Sequence, residues 1–160
     1  MKNAMVKTPY ICGPLTELSS EEQKSVKLFY KRIADACEKT IGVRGFVPHE
    51  HYDPIKHANY TPQDVDKAER HQVCDLTSLL IVVAVAPSWG GGIEVEMANQ
   101  HGVPAVILCE KEKLENRKIS RLLRGNPAVI DILTYTSKDE ALKKLQLKLK
   151  EWLKERGSGY

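Results

Sequence analysis

A run of eight apolar residues, Leu79 to Ala86, sets the terms on which this chain can fold. It is far short of the about 20 residues that span a bilayer as a helix. Its β-branched residues favour a strand, and the absence of alternation means that both faces of that strand are covered. Strands of that kind belong to parallel sheets, whose crossover connections are helices. The rest of the chain supplies the pattern. Tyr10-Ile11-Cys12 is a short strand ended by the Gly13-Pro14 turn. Ser19 with Glu22 forms a capping box ahead of Val26, Phe29, Ile33 and Cys37, which repeat with helical period. Gly45 to Pro48 reads as a second strand, and Thr61-Pro62 as the cap and first position of a helix running toward Leu79. After the long apolar strand, Gly90-Gly91-Gly92 opens a helix, and Val103 to Cys109 is another strand. A short helix around Ile119 to Arg124 stops at Gly125. Val129 to Leu133 is a fifth strand, and Ser137 with Glu140 caps an amphipathic helix to about Leu153. The expectation is an α/β fold: one domain over 1–160, a five-stranded parallel sheet with helices on both faces, Rossmann- or flavodoxin-like. Ligands in such sheets bind at the carboxyl ends of the strands. That directs attention to the loops Gly13–Ser19, His49–Thr61, Pro87–Gly92 and Glu110–Lys118.

Composition removes several classes of function. The chain is 42% hydrophobic and 28% charged, as a globular domain is, and its formal charge of +3 is only mildly basic. Its richest basic stretch, Lys143 to Lys154, is interleaved with leucines and reads as a solvated helix face rather than a nucleic-acid surface. The N-terminal residues have no apolar signal region and no run is long enough to cross a membrane, so a cytoplasmic protein is expected. Cys12, Cys37, Cys74 and Cys109 are widely spaced and read as reduced core thiols.

The loop Pro87-Ser88-Trp89-Gly90-Gly91-Gly92-Ile93-Glu94 carries the chemistry. Glycines let a ligand approach the backbone, and the amides that open a helix favour an anion. The loop lacks both the P-loop lysine and G-x-G-x-x-G, which argues against an ATPase or dinucleotide enzyme, and no cofactor is expected. Glu94 is expected in the first helical turn, held ionised by the helix dipole. An ionised carboxylate beside a sugar stabilises or traps an oxocarbenium-like centre. With about 100° per residue, Glu69 falls on the apolar arc of its helix (Val65, Ala68, Val73, Leu76), whereas Arg70 falls outside it. A carboxyl on that arc is either paired or functional, and burial would raise its pKa as a general acid requires. His49, His51, Asp53 and His57 cluster in a ligand-edge loop but match no zinc spacing, so no metal is expected.

Taken in order, Tyr10-Ile11-Cys12-Gly13, Glu50-His51, Pro87-Ser88-x-Gly-x-Gly-x-Glu94 and Ile119-Ser120-x-x-Leu-Arg124-Gly125 resemble the nucleoside 2-deoxyribosyltransferase superfamily over roughly Pro9 to Tyr135. The branches most similar are the 2'-deoxynucleoside 5'-phosphate N-hydrolases and the CMP N-glycosidases. The resemblance implies that Glu94 attacks or stabilises the anomeric carbon and that Ser88 holds a 5'-phosphate. It implies that Ser120 reaches the phosphate from a neighbouring subunit, so that the protein is a homodimer or higher homo-oligomer with shared sites. Tyr10 and Gly13 would line the first loop, and His51 would lie near the sugar or base. Thr16 stands where the hydrolases carry an arginine, and the family's helical aspartate aligns with Glu69 or Arg70, of which the helical arc favours Glu69.

The expected reaction is cleavage of the C1'–N bond of a nucleoside or nucleotide. Glu94 and Glu69 are the catalytic carboxyls, and Ser88, Ser120, Gly90 and Gly92 the phosphate anchors. Hydrolysis of a 5'-monophosphate is favoured over base exchange, because the two serines make sense mainly as a phosphate clamp. A non-catalytic nucleotide sensor is the alternative from another class.

Overall fold

The computed structural model describes residues 6–157. Strands β1 (Thr8–Cys12), β2 (Thr77–Val83), β3 (Ala105–Glu110) and β4 (Val129–Tyr135) form one parallel sheet in the order β1-β2-β3-β4. Among the described residues the sheet therefore has four strands rather than the five expected. The segment 45–48 meets β1 only at Phe46, which donates to Pro9 O (2.7 Å) and accepts from Ile11 N (2.9 Å). Its neighbours cannot extend the ladder. The Gly45 amide turns to Ala34 O (3.3 Å), and Pro48 has no N–H and starts a helical turn.

The apolar run behaves as its composition demands. Leu79, Ile81 and Val83 of β2 join one core, and Leu80, Val82 and the following Ala84 join the other. Helix α1 (Ser20–Ile41) covers the first face with a stripe of Val26, Phe29, Tyr30, Ile33 and Cys37. Each large apolar side chain buried there contributes about 1.5–3 kcal/mol. The Ser19–Glu22 capping box is formed, and Gly42, at φ 75°, ends the helix in the left-handed conformation. The last helix, α7 (Lys138–Gly157), lies beside α1, with Ala141, Leu145, Leu149 and Trp152 buried at one-turn intervals.

The opposite face carries α3 (Pro62–Leu76) and α4 (Trp89–Gln100), with the short α2 (His49–Tyr52) between α1 and α3 in sequence. Thr61 caps α3 and Pro62 opens it, as their residue types dictate. The helix stops at Leu76, earlier than its apolar period suggests, because Thr77 donates to Gln72 O (2.8 Å) and turns the chain into β2. Only Val73 of α3 is buried. Two short helices, α5 (Lys111–Glu115) and α6 (Arg121–Arg124), complete the carboxyl edge between β3 and β4. No helix among the described residues is long and apolar enough to cross a membrane.

Candidate active site

Three of the four loops, Gly13–Ser19, Pro87–Gly92 and Glu110–Lys118, contribute to one cleft at the carboxyl edge of the sheet, and the β2–α4 loop is the best defined. Ser88 is the N-cap of α4. Its hydroxyl oxygen accepts from the Gly91 amide (3.1 Å) and its carbonyl from the Gly92 amide (3.1 Å). Two amides of the glycine run are therefore turned onto Ser88 rather than left free for an anion. The tight position is Gly91, where a Cβ would lie 3.2 Å from both Cys12 Sγ and Ser88 Oγ. Around Gly90 and Gly92 the space is open, so close packing singles out the middle glycine and not the outer two.

Because α4 begins at Trp89, Glu94 falls in its second turn, not its first. The dipole contribution fades there. Glu94 is instead 7% exposed, and the Tyr10 hydroxyl donates to its carboxylate across the sheet edge. The Cys12 thiol is also within bonding reach of that carboxylate and contacts Gly91 O at 3.6 Å. Tyr10 and Cys12 stand two apart on β1 and so face the same side, toward α4. Burial raises the Glu94 pKa above the ordinary carboxylate range, while the Cys12 and Tyr10 donors oppose it. The ionised state that the helix dipole was expected to secure therefore rests on these two side chains.

Glu69 turns inward and Arg70 outward, as the helical arc requires. Arg70 is exposed and paired with Asp66 at 2.9 Å. The Glu69 carboxyl is pushed up to about 7, first by burial and then by the Glu94 charge. Burial and then the Glu69 charge raise the Tyr52 phenol, so the α2 tyrosine lies on the Glu69 side of the site. Among the described residues the Tyr10 hydroxyl donates to Glu94, whereas Glu69 is raised by burial and then by the Glu94 charge, so Glu94 is the easier of the two to ionise. Two carboxyls driven apart in this way are suited to a base or nucleophile and an acid.

The remaining predicted residues fall into two groups. Gly13 is packed so closely against Tyr30 that any Cβ would overlap the Tyr30 hydroxyl and lie 3.0 Å from Val83 O. Ser88, Gly92 and Ser120 line a single cleft of about 1700 Å³ with Gly13, Cys12 and Gly91. The hydroxyl of Ser120 caps α6 by accepting from Leu123 N at 3.3 Å, so one chain brings both serines to one cleft. Glu94, Tyr10 and Glu69 do not line that cleft; Cys12 and Gly91 stand between. Thr16 is exposed on the first loop, donating to Glu17 at 3.0 Å. His51 lies apart from the carboxyls. Its ring stacks on Phe46 at 4.5 Å, Phe46 stacks on Tyr10 at 5.5 Å, and His51 also tilts against Tyr52 at 6.0 Å, so it meets the site through neighbouring rings.

Two contributors escaped sequence reasoning: Cys12 reads as a core thiol, and Gly91 is an unspecified position of the Ser-x-Gly-x-Gly-x-Glu block. The i, i+2 spacing from Tyr10 was the one signal for Cys12. Of the histidine cluster, Asp53 is buried and bonded to Lys27 (2.5 Å) and to the Ile55 and Lys56 amides (2.9 and 3.1 Å). It is a structural anchor for the loop after α2.

No family model matches the chain, and no curated protein does. Solved structures do. BlsM, determined in solution, aligns with a TM-score of 0.66 and 19% identity over 92% of both chains. The CMP N-glycosidase BcmB of Clostridium botulinum aligns with a TM-score of 0.61 and 18% identity over 88% of this chain and 99% of that one. A conserved protein from Enterococcus faecalis gives 0.59 and 16% over 89% and 99%. At these identities the likeness is one of fold, and it extends over nearly the whole chain: this protein has the architecture of BlsM and of the CMP N-glycosidase BcmB.

Proposed function

We propose that the chain is an N-glycosidase that hydrolyses the C1'–N bond of a (deoxy)nucleoside 5'-monophosphate. The observation that carries this is the buried Glu94 carboxyl, held by Tyr10, with the Glu69 carboxyl near enough that burial and the Glu94 charge push it up to about 7. The fold shared with a CMP N-glycosidase supports the same chemistry. In the proposed reaction the C1'–N bond breaks and Glu69 gives its proton to the departing base. The Glu94 carboxylate either bonds to C1' or stabilises the sugar cation. Water then delivers hydroxide to C1', breaking the Glu94–C1' bond where one has formed and returning the carboxylate; its proton restores Glu69, and free base and sugar phosphate leave. Ser88 and Ser120 line the cleft in which the 5'-phosphate would rest. Because Glu94 is nearly buried, the sugar needs an opening, and α3, with only Val73 buried, is one element that can yield.

We extend the proposal to a homodimer or higher homo-oligomer with shared sites. Trp89, Ile93 and Leu122, at 92%, 54% and 88% exposure, leave apolar surface on the α4 and α6 sides of the cleft, which an interface would cover. Light scattering during gel filtration tests this, and a monomer at micromolar concentration refutes it.

Catalysis is tested by chromatographic detection of free base from a panel of nucleosides and monophosphates, with and without an acceptor base. Glu94→Ala should abolish release, and Ser88→Ala should raise KM for monophosphates selectively. Base exchange dominating over hydrolysis would make the protein a transferase. Release that survives Glu94→Ala would remove the proposed mechanism.

A further inference from the structure

The cleft lined by Ser88 and Ser120 carries a cation whose donors are not all used. Arg124 closes the short helix α6, its amide bonded to Ser120 O at 3.1 Å, and it lines the same cleft as both serines. The residue is half-buried, and its Nε is shielded from solvent with no hydrogen-bond partner among the described residues. Withdrawing a charged donor from water without giving it an acceptor is unfavourable, so such a nitrogen points to an anion that completes it. The acids along the cleft have other partners. Glu96 accepts from Asn126 (2.9 Å), Glu110 pairs with Lys113 (3.1 Å) and Glu115 with Lys111 (3.7 Å). Arg117, Lys118 and Arg121 also line the cleft, but they are exposed, where water serves a cation well. The first loop, Gly13 to Ser19, has no lysine or arginine that could supply a charge instead.

We propose that Arg124 is a specificity-determining residue for the 5' end of the substrate, its guanidinium supplying the positive charge and an N–H donor to a phosphate monoester in this cleft. The inference rests on the proposed nucleotide site and assigns to it the residue that makes a 5'-monophosphate a better ligand than a 5'-hydroxyl. The serines cannot do this by themselves. Ser88 Oγ and Ser120 Oγ each already accept a backbone amide, from Gly91 at 3.1 Å and Leu123 at 3.3 Å, and each has a single proton to donate. Two hydroxyl protons can hold phosphate oxygens but leave their charge unmet. A guanidinium meets it, because its planar fork matches the oxygens of a phosphate and its charge is permanent. A charge-assisted hydrogen bond of ordinary strength corresponds to about tenfold or more in affinity. Lysine at the same position would carry the charge as a point on a flexible stem, without the Nε–H of arginine, so charge and geometry can be separated.

The test is calorimetric titration of the full chain with ribose 5-phosphate and, separately, ribose, for wild type, Arg124→Gln, Arg124→Met, Arg124→Lys and Arg121→Gln. Thermal melts establish which variants are folded, and either neutral Arg124 variant suffices. Parallel base-release assays use one monophosphate and its nucleoside. Arg124→Gln and Arg124→Met should each lower the ratio of ribose 5-phosphate to ribose affinity by about tenfold or more. Arg124→Lys should recover part of that loss. Arg121→Gln removes the same charge from an exposed position and should change the ratio by less than about twofold. The kcat/KM ratio of monophosphate to nucleoside should fall in step with affinity in the Arg124 variants. An equal fall in Arg121→Gln would reduce the effect to net charge and overturn the proposal. So would an unchanged ratio in a folded neutral Arg124 variant, or a wild type that binds ribose 5-phosphate no better than ribose. Loss of the preference in the Arg124 variants, with no base released from any substrate by the wild type, would uphold the role of Arg124 and instead refute the proposed reaction.

Discussion

Replacing Tyr10 by Phe removes one oxygen from a buried site and leaves the ring where it stacks on Phe46. The lost group is the hydroxyl that donates to Glu94, a carboxyl with 7% exposure and Cys12 as its other donor. A hydrogen bond to a charged acceptor is worth about 1.5–3 kcal/mol. Each pKa unit corresponds to about 1.4 kcal/mol. The donor favours the ionised form, so its removal acts in the same direction as burial and raises the Glu94 pKa further, by about 1–2 units. The acid limb of the kcat/KM profile for base release reports the group that must be ionised in the free enzyme. It should move up by that amount, toward the alkaline limb that Glu69 sets near 7. The bell then narrows and its maximum falls. If Tyr10→Phe is folded and its acid limb stays where the wild type's is, Glu94 is not the group that ionises, and the division of roles between the two carboxyls is wrong.

Other substitutions probe the surroundings of the site. The Glu69 pKa is raised on folding, so its contribution to stability is fully present below about 4.5 and lost as pH rises through about 7. Glu69→Gln should therefore raise urea-unfolding stability at pH 8 by about 1–2 kcal/mol, allowing for partial exposure, with no gain at pH 4.5. Gly91→Ala pushes a methyl against Cys12 and Ser88 and should cost about 1–3 kcal/mol in thermal melts and impair turnover. Gly92→Ala meets open space and should instead stabilise α4 by about 0.5–1 kcal/mol. Burial alone would raise the Asp53 pKa, but Lys27 and the Lys56 and Ile55 amides win and hold it well below the carboxylate range. Its contribution is present above about 3.8 and lost as pH falls, so Asp53→Asn should cost about 2–3 kcal/mol in denaturant melts at pH 7.

Much of the fold was legible because its signals are local. The Ser19–Glu22 box, the Thr61-Pro62 start and the unbroken Leu79–Ala86 run each act over a few residues, and each appears in the structure at or near its expected place. The start of α4 was displaced because Ser88 caps from outside the glycines, so the helix begins at Trp89 and Glu94 falls in its second turn. The inward aim of Glu69 was legible for the same local reason, since a helix fixes the angle between Glu69 and Arg70.

That the expected strand at 45–48 would not join the sheet was not legible, because pairing depends on where neighbouring amides are drawn. Gly45 is claimed by α1 and Pro48 has no amide to give. The state of Glu94 was equally out of reach. A position on a helix implies a dipole, but not the tyrosine 84 residues away whose hydroxyl holds the carboxylate. Nor does it imply the burial that outweighs that dipole. Sequence alone determined which segments became helix or strand and which side chains shared a face, because those follow from backbone period and capping over one or two turns. Tertiary structure decided which acid is buried and what donates to it, because desolvation and hydrogen bonding depend on groups that only folding brings together.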